Sequence, residues 1–232
     1  MTTIDYTNRP YFFDRITGQI VPEELEKTIR NFIVTENLYL SATREIVTKF
    51  ENLNSEFKSS HERNPIHSIH SRVKTPMRIV NKLQKRGLEI SVESARNNLT
   101  DIAGVRVICP YIDDIYLVAN MLLSQNDIEL IRTSDYIKYP KPNGYRSLHH
   151  IVTVPVFLST KVEIVNVEIQ LRTIAMDFWA SLEHELAYKL AEGTNESVFS
   201  ELKGCAEEIA DIDKRMQHLF NATINPVDQK DF

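Results

Sequence analysis

Two carboxylates stand where strands begin or run. Asp101 lies at the entrance to the β-rich run IAGVRVIC, 102–109, and Glu168 lies inside VNVEIQLR. In the second segment Val165, Val167, Ile169 and Leu171 alternate with Asn166, Glu168, Gln170 and Arg172, so one strand face is apolar and the other polar. A polar face on a central strand is costly unless it lines a cleft. Carboxylates from neighbouring strands, with Gln170 beside them, suit a hard cation such as Mg²⁺, which takes one or two carboxylates together with substrate phosphates. The plain alternative is a solvent-facing strand edge.

Cations gather nearby. The segment KYPKPNGYRSLHH, 138–150, sets Lys138, Lys141, Arg146 and His149 around an Asn-Gly pair, with Tyr145 at the turn. Phosphate pairing plus an aromatic plane is what a purine nucleotide requires; the alternative is a hairpin with a solvated basic tip. Arg72 and Lys74 alternate on one side of an extended segment just before a basic helix. An arginine can stack on a base, and a lysine can hold a polyphosphate as a point charge. Arg106 is a cation in an otherwise apolar strand and needs a partner or a cleft.

Charge is unevenly spread. Residues 61–86 hold seven basic residues against the single acid Glu62, whereas 192–232 hold nine acids against four bases. A chain of net charge −5 with one concentrated basic stretch suggests a local anion site, not a surface that coats nucleic acid. The six glycines are scattered and form neither glycine-rich phosphate cradle, so side chains must hold any phosphates.

Other motifs point to structure. HELAY, 184–188, lacks the second His of a zinc-protease helix, and His67 and His70 point apart on a strand. Met176, Phe178, Trp179 and Cys109 read as core, and Cys205 as a structural helix residue. Two distant cysteines exclude a disulfide scaffold and a Cys-rich zinc module, and point to a reducing cytoplasm. At 232 residues, 42% hydrophobic and 25% charged, the chain excludes a disordered, collagenous or membrane-bundle protein.

The elements that must position these groups are legible. Pro22 opens a long helix, 22–59, with apolar Leu25, Ile29, Ile33, Leu38 and Leu40. A strand at 67–73 leads to a basic helix, 76–86, started by Pro76 and stopped by Gly87. Helices at 91–98 and 112–125 flank the strand 102–109, and a strand covers 127–137. The runs 148–157 and 161–171 alternate with period two and read as a hairpin, followed by helices 173–190 and 197–221. Strands and helices mix without regular βαβ repeats, so the fold class is α+β with a mixed sheet flanked by helices and long N- and C-terminal helices.

Four segments carry a resemblance. SRVK at 71–74, TDIAGVRVICPYIDDI at 100–115, DYIKYPKPNGYRSLH at 135–149 and VEIQLRTIAMDFWASLEHELAYK at 167–189 resemble, in order and spacing, the synthetase domain of the RelA/SpoT family, and more narrowly the stand-alone small alarmone synthetases. The resemblance covers about 65–190 as a catalytic core, with 22–59 and 197–221 as terminal helices of a single synthetase domain, 1–232. It implies a nucleotidyltransferase-like sheet and a GTP pyrophosphokinase, which moves the β,γ-pyrophosphate of ATP onto the 3′-hydroxyl of GDP or GTP, giving ppGpp or pppGpp and releasing AMP.

It further implies that Asp101 and Glu168 hold Mg²⁺ and that Glu168 helps deprotonate the 3′-hydroxyl. Arg72 and Arg106 would sandwich the adenine, and Lys74, Lys82 and Lys85 would bind the ATP phosphates. Tyr145 would stack on guanine, and Lys138, Arg146 and His149 would bind the acceptor's phosphates. Gln170 would support the acceptor, and Asp177 would meet the guanine edge. Asp177 stands where many small synthetases carry Asn; it can only accept from guanine, and its charge bears on the choice between GDP and GTP. No hydrolase-length region precedes the motifs and no regulatory region follows them, so ribosome-coupled control is not expected. The resemblance also implies a homotetramer built through the terminal helices, and a single-stranded RNA as regulator. Two other readings stand beside it: pyrophosphoryl transfer to an adenine nucleotide or a tRNA 3′ end, and a catalytically silent nucleotide- or RNA-binding regulator.

Overall fold

A computed structural model describes residues 23–60, 63–190 and 196–224. Its elements are α1 (Glu23–Ser60), β1 (Ser68–Val73), α2 (Pro76–Lys85), α3 (Val92–Asn98), β2 (Ala103–Cys109), α4 (Ile112–Leu123), β3 (Glu129–Asp135), β4 (Leu148–Phe157), β5 (Val162–Thr173), α5 (Ile174–Leu190) and α6 (Glu196–Ile224). The strands form one sheet in the order β1-β2-β5-β4-β3, in which β2 and β5 run parallel and the other neighbours antiparallel. This is the mixed sheet that the patterning predicts.

The two faces of the sheet follow from alternation. On β5, Val165, Val167, Ile169 and Leu171 are buried, and their β2 partners Ala103, Val105 and Val107 face the same side. Against that face pack Tyr39, Ala42, Ile46 and Phe50 of α1, spaced three or four residues apart, together with Ile115, Val118, Ala119 and Leu122 of α4. Of the expected α1 stripe, Leu38 packs against this core, whereas Ile33 and Leu40 are exposed. The predicted start at Pro22, and the side chains of Leu25 and Ile29, lie outside the description.

Local chemistry sets the boundaries. Pro76 sits in the first turn of α2, and Gly87, at φ +65°, follows its end. β3 stops at Asp135 because its carboxylate accepts from the backbone N–H of Ile137 and of Lys138, each at 3.0 Å, and turns the chain. Trp179 and Met176 are buried as expected, but Phe178 is exposed, because it lies on the far side of α5. Cys109 is buried and Cys205 exposed. Among the described residues no helix is long and apolar enough to cross a membrane.

The C-terminal helix α6 is tied down at several points. The Trp179 indole N–H donates to the Leu202 carbonyl at 2.9 Å. Farther along, the Tyr111 and Phe220 rings stack at 4.2 Å, with the Arg63 guanidinium over both and paired to the buried Asp114. Between these, Thr173, which caps α5 by accepting from the Met176 N–H at 3.0 Å, donates its hydroxyl proton to Asp213 of α6.

Burial pushes the Asp213 carboxyl up from its ordinary value, against the opposing pull of the Thr173 donor and the Arg146 charge. A carboxyl raised in the fold destabilises the folded state wherever it is ionised, above the folded pKa, and costs nothing below the unfolded pKa. Asp213→Asn should thus raise the unfolding midpoint by a few degrees at pH 7, about 1 kcal/mol, and the gain should vanish toward pH 4. Thermal unfolding followed across that range checks it; a gain that does not change with pH would contradict the assignment.

Candidate active site

The register carries the polar residues to one place. Arg72 of β1 pairs with Gly104 of β2, and Gly104 pairs with Glu168 of β5; one step on, His70, Arg106, Gln170 and His149 line up across four strands. Side chains that share a face at neighbouring positions meet, so four separate sequence segments converge. The polar face of β5 is partly shielded from water rather than spread along an edge.

Asp101, just before β2, is gripped by two ammonium groups. Lys74 donates to its Oδ2 at 2.9 Å and to its backbone carbonyl at 2.6 Å, and Lys82 of α2 donates to the same Oδ2. Burial would raise the carboxyl, but the Lys82 and Lys74 contacts prevail and hold it below the usual range. Its Oδ1 is buried without a partner. Lys85, one turn on in α2, is exposed and outside this contact set.

Glu168 has a different shell. Its Oε1 lies 3.3 Å from His149 Nδ1, and its Oε2 accepts from the Gln170 amide at 2.9 Å. Burial raises the carboxyl, but the His149 and Gln170 contacts outweigh it, and the group is held ionised although the Asp101 charge opposes this. With two carboxylates and an orphan oxygen, the pair fits a hard cation that takes its remaining ligands from phosphate and water. Among the described residues no cluster of three or more His, Cys, Asp or Glu forms a closed metal cage.

On the β4 side the loop forms an aromatic box. The Tyr145 hydroxyl lies 2.8 Å from His149 Nε2, and the Tyr136, Tyr145 and His149 rings pack edge to face. The Lys141 ammonium lies 4.6 Å from both tyrosine rings. Lys138 is exposed, 3.7 Å from Asp135 and above the Tyr116 ring. Arg146, expected at a phosphate, donates from its guanidinium to the Gly144 and Ala206 carbonyls at 3.0 and 3.1 Å.

Arg172 is the residue to which sequence reasoning gave no role. It donates to the Tyr145 hydroxyl at 2.7 Å, to Gln170 Oε1 at 3.1 Å and to Asp177 Oδ1 at 3.0 Å. The signal was available, because Arg172 falls on the polar face of β5. Arg106 also reaches Asp177 Oδ1, at 3.2 Å, so the oxygen expected at a guanine edge is held between two guanidinium groups. Arg72 is exposed at the sheet edge, diagonal to Arg106 on the same face. Among the described residues the buried side-chain polar atoms without a partner are Asp101 Oδ1, Arg106 Nε and Arg172 Nε, and all three lie in this site. Orphaned polar atoms are costly in a finished core and mark a place built for a ligand.

Residues 71–193 match the family described as the region found in RelA / SpoT proteins. The chain is 47% identical over 179 residues to the GTP pyrophosphokinase YwaC of Bacillus subtilis, covering 77% of this chain and 85% of that protein. Its structure resembles that of small alarmone synthetase 2 from Bacillus subtilis, with a TM-score of 0.74 and 44% identity over 82% of this chain and 98% of that one. It also resembles small alarmone synthetase 1 from the same organism bound to its product pppGpp, with a TM-score of 0.76 and 29% identity over 88% of this chain and 100% of that one.

The Arg172–Asp177 pair can be tested without substrate. Arg172→Met should cost about 3 kcal/mol, because it leaves Asp177 half-paired and the Tyr145 hydroxyl without its donor. Adding Asp177→Leu together with Arg106→Met should recover most of that loss, since replacing every member of a shielded ion cluster with apolar groups is nearly neutral, whereas Asp177→Leu alone would leave Arg106 unpaired. Urea unfolding of the Arg172→Met single and the Arg172→Met/Asp177→Leu/Arg106→Met triple variant decides; a triple variant as unstable as the single one would place the cost in packing, not charge.

Proposed function

Because this chain belongs to the RelA/SpoT family and is an enzyme of the GTP pyrophosphokinase class, we propose that its two carboxylates, its lysine pair and its Tyr–His–Arg box divide the transfer of pyrophosphate from ATP to the 3′-hydroxyl of GDP or GTP. The observation that carries the division is that β2 and β5 pair side by side, with Asp101 at the head of β2 gripped by two lysines and Glu168 on β5 held by His149 of the aromatic box.

Asp101 and Glu168 would hold Mg²⁺; the unpartnered Asp101 Oδ1 supports this. When bound, the ion offsets charge on the transferring phosphates. Lys74 and Lys82, with Lys85 beyond them, face the donor's polyphosphate, and the flat guanidinium groups of Arg72 and Arg106 offer stacking surfaces for adenine. On the other flank Tyr145 stacks on the guanine, Lys138 and Lys141 face the acceptor's phosphates, and Gln170 with Asp177 lies at the acceptor's edge. Glu168, held ionised, accepts the 3′-hydroxyl proton, and His149 keeps that carboxylate in place. The protein's remaining task is alignment of the attacking oxygen with the β-phosphorus. Exposed Ile33 and Val34 on α1, and Ile212, Met216 and Leu219 on α6, support assembly of the single domain into a homotetramer in the cytoplasm.

Incubation with labelled ATP, Mg²⁺ and GDP or GTP should place label in ppGpp or pppGpp. Glu168→Gln should lower turnover by about 10²- to 10⁴-fold while nucleotides still bind; unchanged turnover would remove Glu168 from the chemistry.

Two ammonium groups already occupy Asp101, so Mg²⁺ alone should shift the unfolding midpoint little and Mg²⁺ with ATP should shift it more. In Asp101→Asn the Mg²⁺-dependent part of that shift should be lost. A shift by ATP that is the same with and without Mg²⁺ in the parent protein would exclude Asp101 as a ligand.

A further inference from the structure

The loop that carries Tyr145 is built against the C-terminal helix. Within the loop the Gly144 N–H donates to the Lys141 carbonyl at 2.8 Å, and Gly144 has φ +88°, a conformation open to glycine. A β-carbon there would lie 2.5 Å from the Ala206 Cβ of α6. Loop and helix thus approach more closely than any larger pair of side chains would permit. Arg146 closes the seam, since one nitrogen of its guanidinium donates both to the loop at Gly144 and to the helix at Ala206. The Tyr145 ring itself packs against the small cluster of Trp179, Ala180 and Ala206.

We propose that Arg146 and Ala206 are positioning residues for the acceptor nucleotide: α6 grips the loop and sets the plane of Tyr145. The inference rests on the reading of Tyr145 as the guanine platform. It reassigns Arg146, whose place in the sequence suggests a phosphate ligand, to a clamp between two backbones. A stacking ring on a loop binds well only if its pose is fixed before the ligand arrives, because ordering it at that moment is subtracted from affinity. Here the fixing comes from α6, which packs on α5, α4 and this loop.

The test is steady-state kinetics, with ATP saturating and GDP or GTP varied, together with equilibrium dialysis of labelled GDP. The proteins are Ala206→Val, Arg146→Met, Arg146→Lys and the Ala206→Val/Arg146→Met pair. Each single variant should raise the KM for GDP and for GTP by the same factor, about tenfold, as loss of a net hydrogen bond or of close packing allows. The KM for ATP should stay within about twofold, since the seam lies on the acceptor flank. Arg146→Lys should do no better than Arg146→Met, because the lysine nitrogen sits one bond nearer the backbone than the Arg146 Nη1 that now reaches both carbonyls, and falls short of the helix. The double variant should resemble the worse single one, because both loosen one seam.

The proposal is overturned if Arg146→Lys restores binding, if GTP suffers far more than GDP, or if Ala206→Val leaves both acceptors unaffected; the first two outcomes would make Arg146 a phosphate ligand. The near-ultraviolet band of the lone Trp179 monitors folding, and Ala206→Ser replaces Ala206→Val if that band is lost. A parent protein that binds labelled GDP but transfers nothing would sink the activity reading and leave the dialysis to judge the seam. A parent that binds neither GDP nor GTP would sink both.

Discussion

The parallel pairing of β2 with β5 is the constraint on which the site depends. It sets Gly104 opposite Glu168 and Arg106 opposite Gln170, and brings Asp101, at the entrance to β2, beside the middle of β5. A slip of one residue would turn Glu168 into the core and Val167 into the cleft, because side chains alternate across a sheet. The apolar half of the same alternation prevents the slip. Val165, Val167, Ile169 and Leu171 are all buried beneath α1 and α4, and exposing four such side chains would cost roughly 6–12 kcal/mol. Core and chemistry are thus two faces of one register, and the core protects the geometry of the site.

The cleft is electrostatically self-satisfied before a substrate arrives. Lys74 and Lys82 neutralise Asp101, His149 and Gln170 hold Glu168, and Arg106 and Arg172 share Asp177. Such pairing allows ionisable groups to stand partly buried together. The balance is incomplete at three atoms, all in this cleft, and a polyanion arriving with a cation would exchange partners instead of entering an uncompensated field. On the proposed division, a polyphosphate would offer oxygens to the same ammonium groups that now hold Asp101, and binding of donor and cation would be coupled through shared side chains.

Much of this was legible in the chain because the decisive signals are local. The alternation in VNVEIQLR announces a half-buried strand with a polar face, and Pro76 and Gly87 bracket a short basic helix. The mixed α+β sheet and the convergence of the four motifs followed. What sequence could not show was which partner each long side chain would choose. Arg146 and Arg172 both look like free cations in the chain; one fastens a loop to a helix and the other ties Tyr145, Gln170 and Asp177 together. Those choices depend on α6 and α5, which lie far away along the chain. The partly misplaced stripe on α1 has a similar cause, since Ile33 and Leu40 lie where the core does not cover them.

The terminal helices therefore do different work. α1 supplies the floor of the core through Tyr39, Ala42, Ile46 and Phe50, and any apolar residues of the right volume would serve there. α6 contributes small residues and backbone groups at Ala206 and Leu202, a contact whose value lies in fit. It is also anchored elsewhere, at Asp213 to the cap of α5 and at Phe220 to Tyr111 and Arg63. A helix held at separated points moves as a unit, so a disturbance at its exposed face would reach the loop through Ala206 without touching either carboxylate. On the proposed assignment the acceptor side would be open to tuning from the surface through α6, while the donor side, built on β2 and α2, is held by the core.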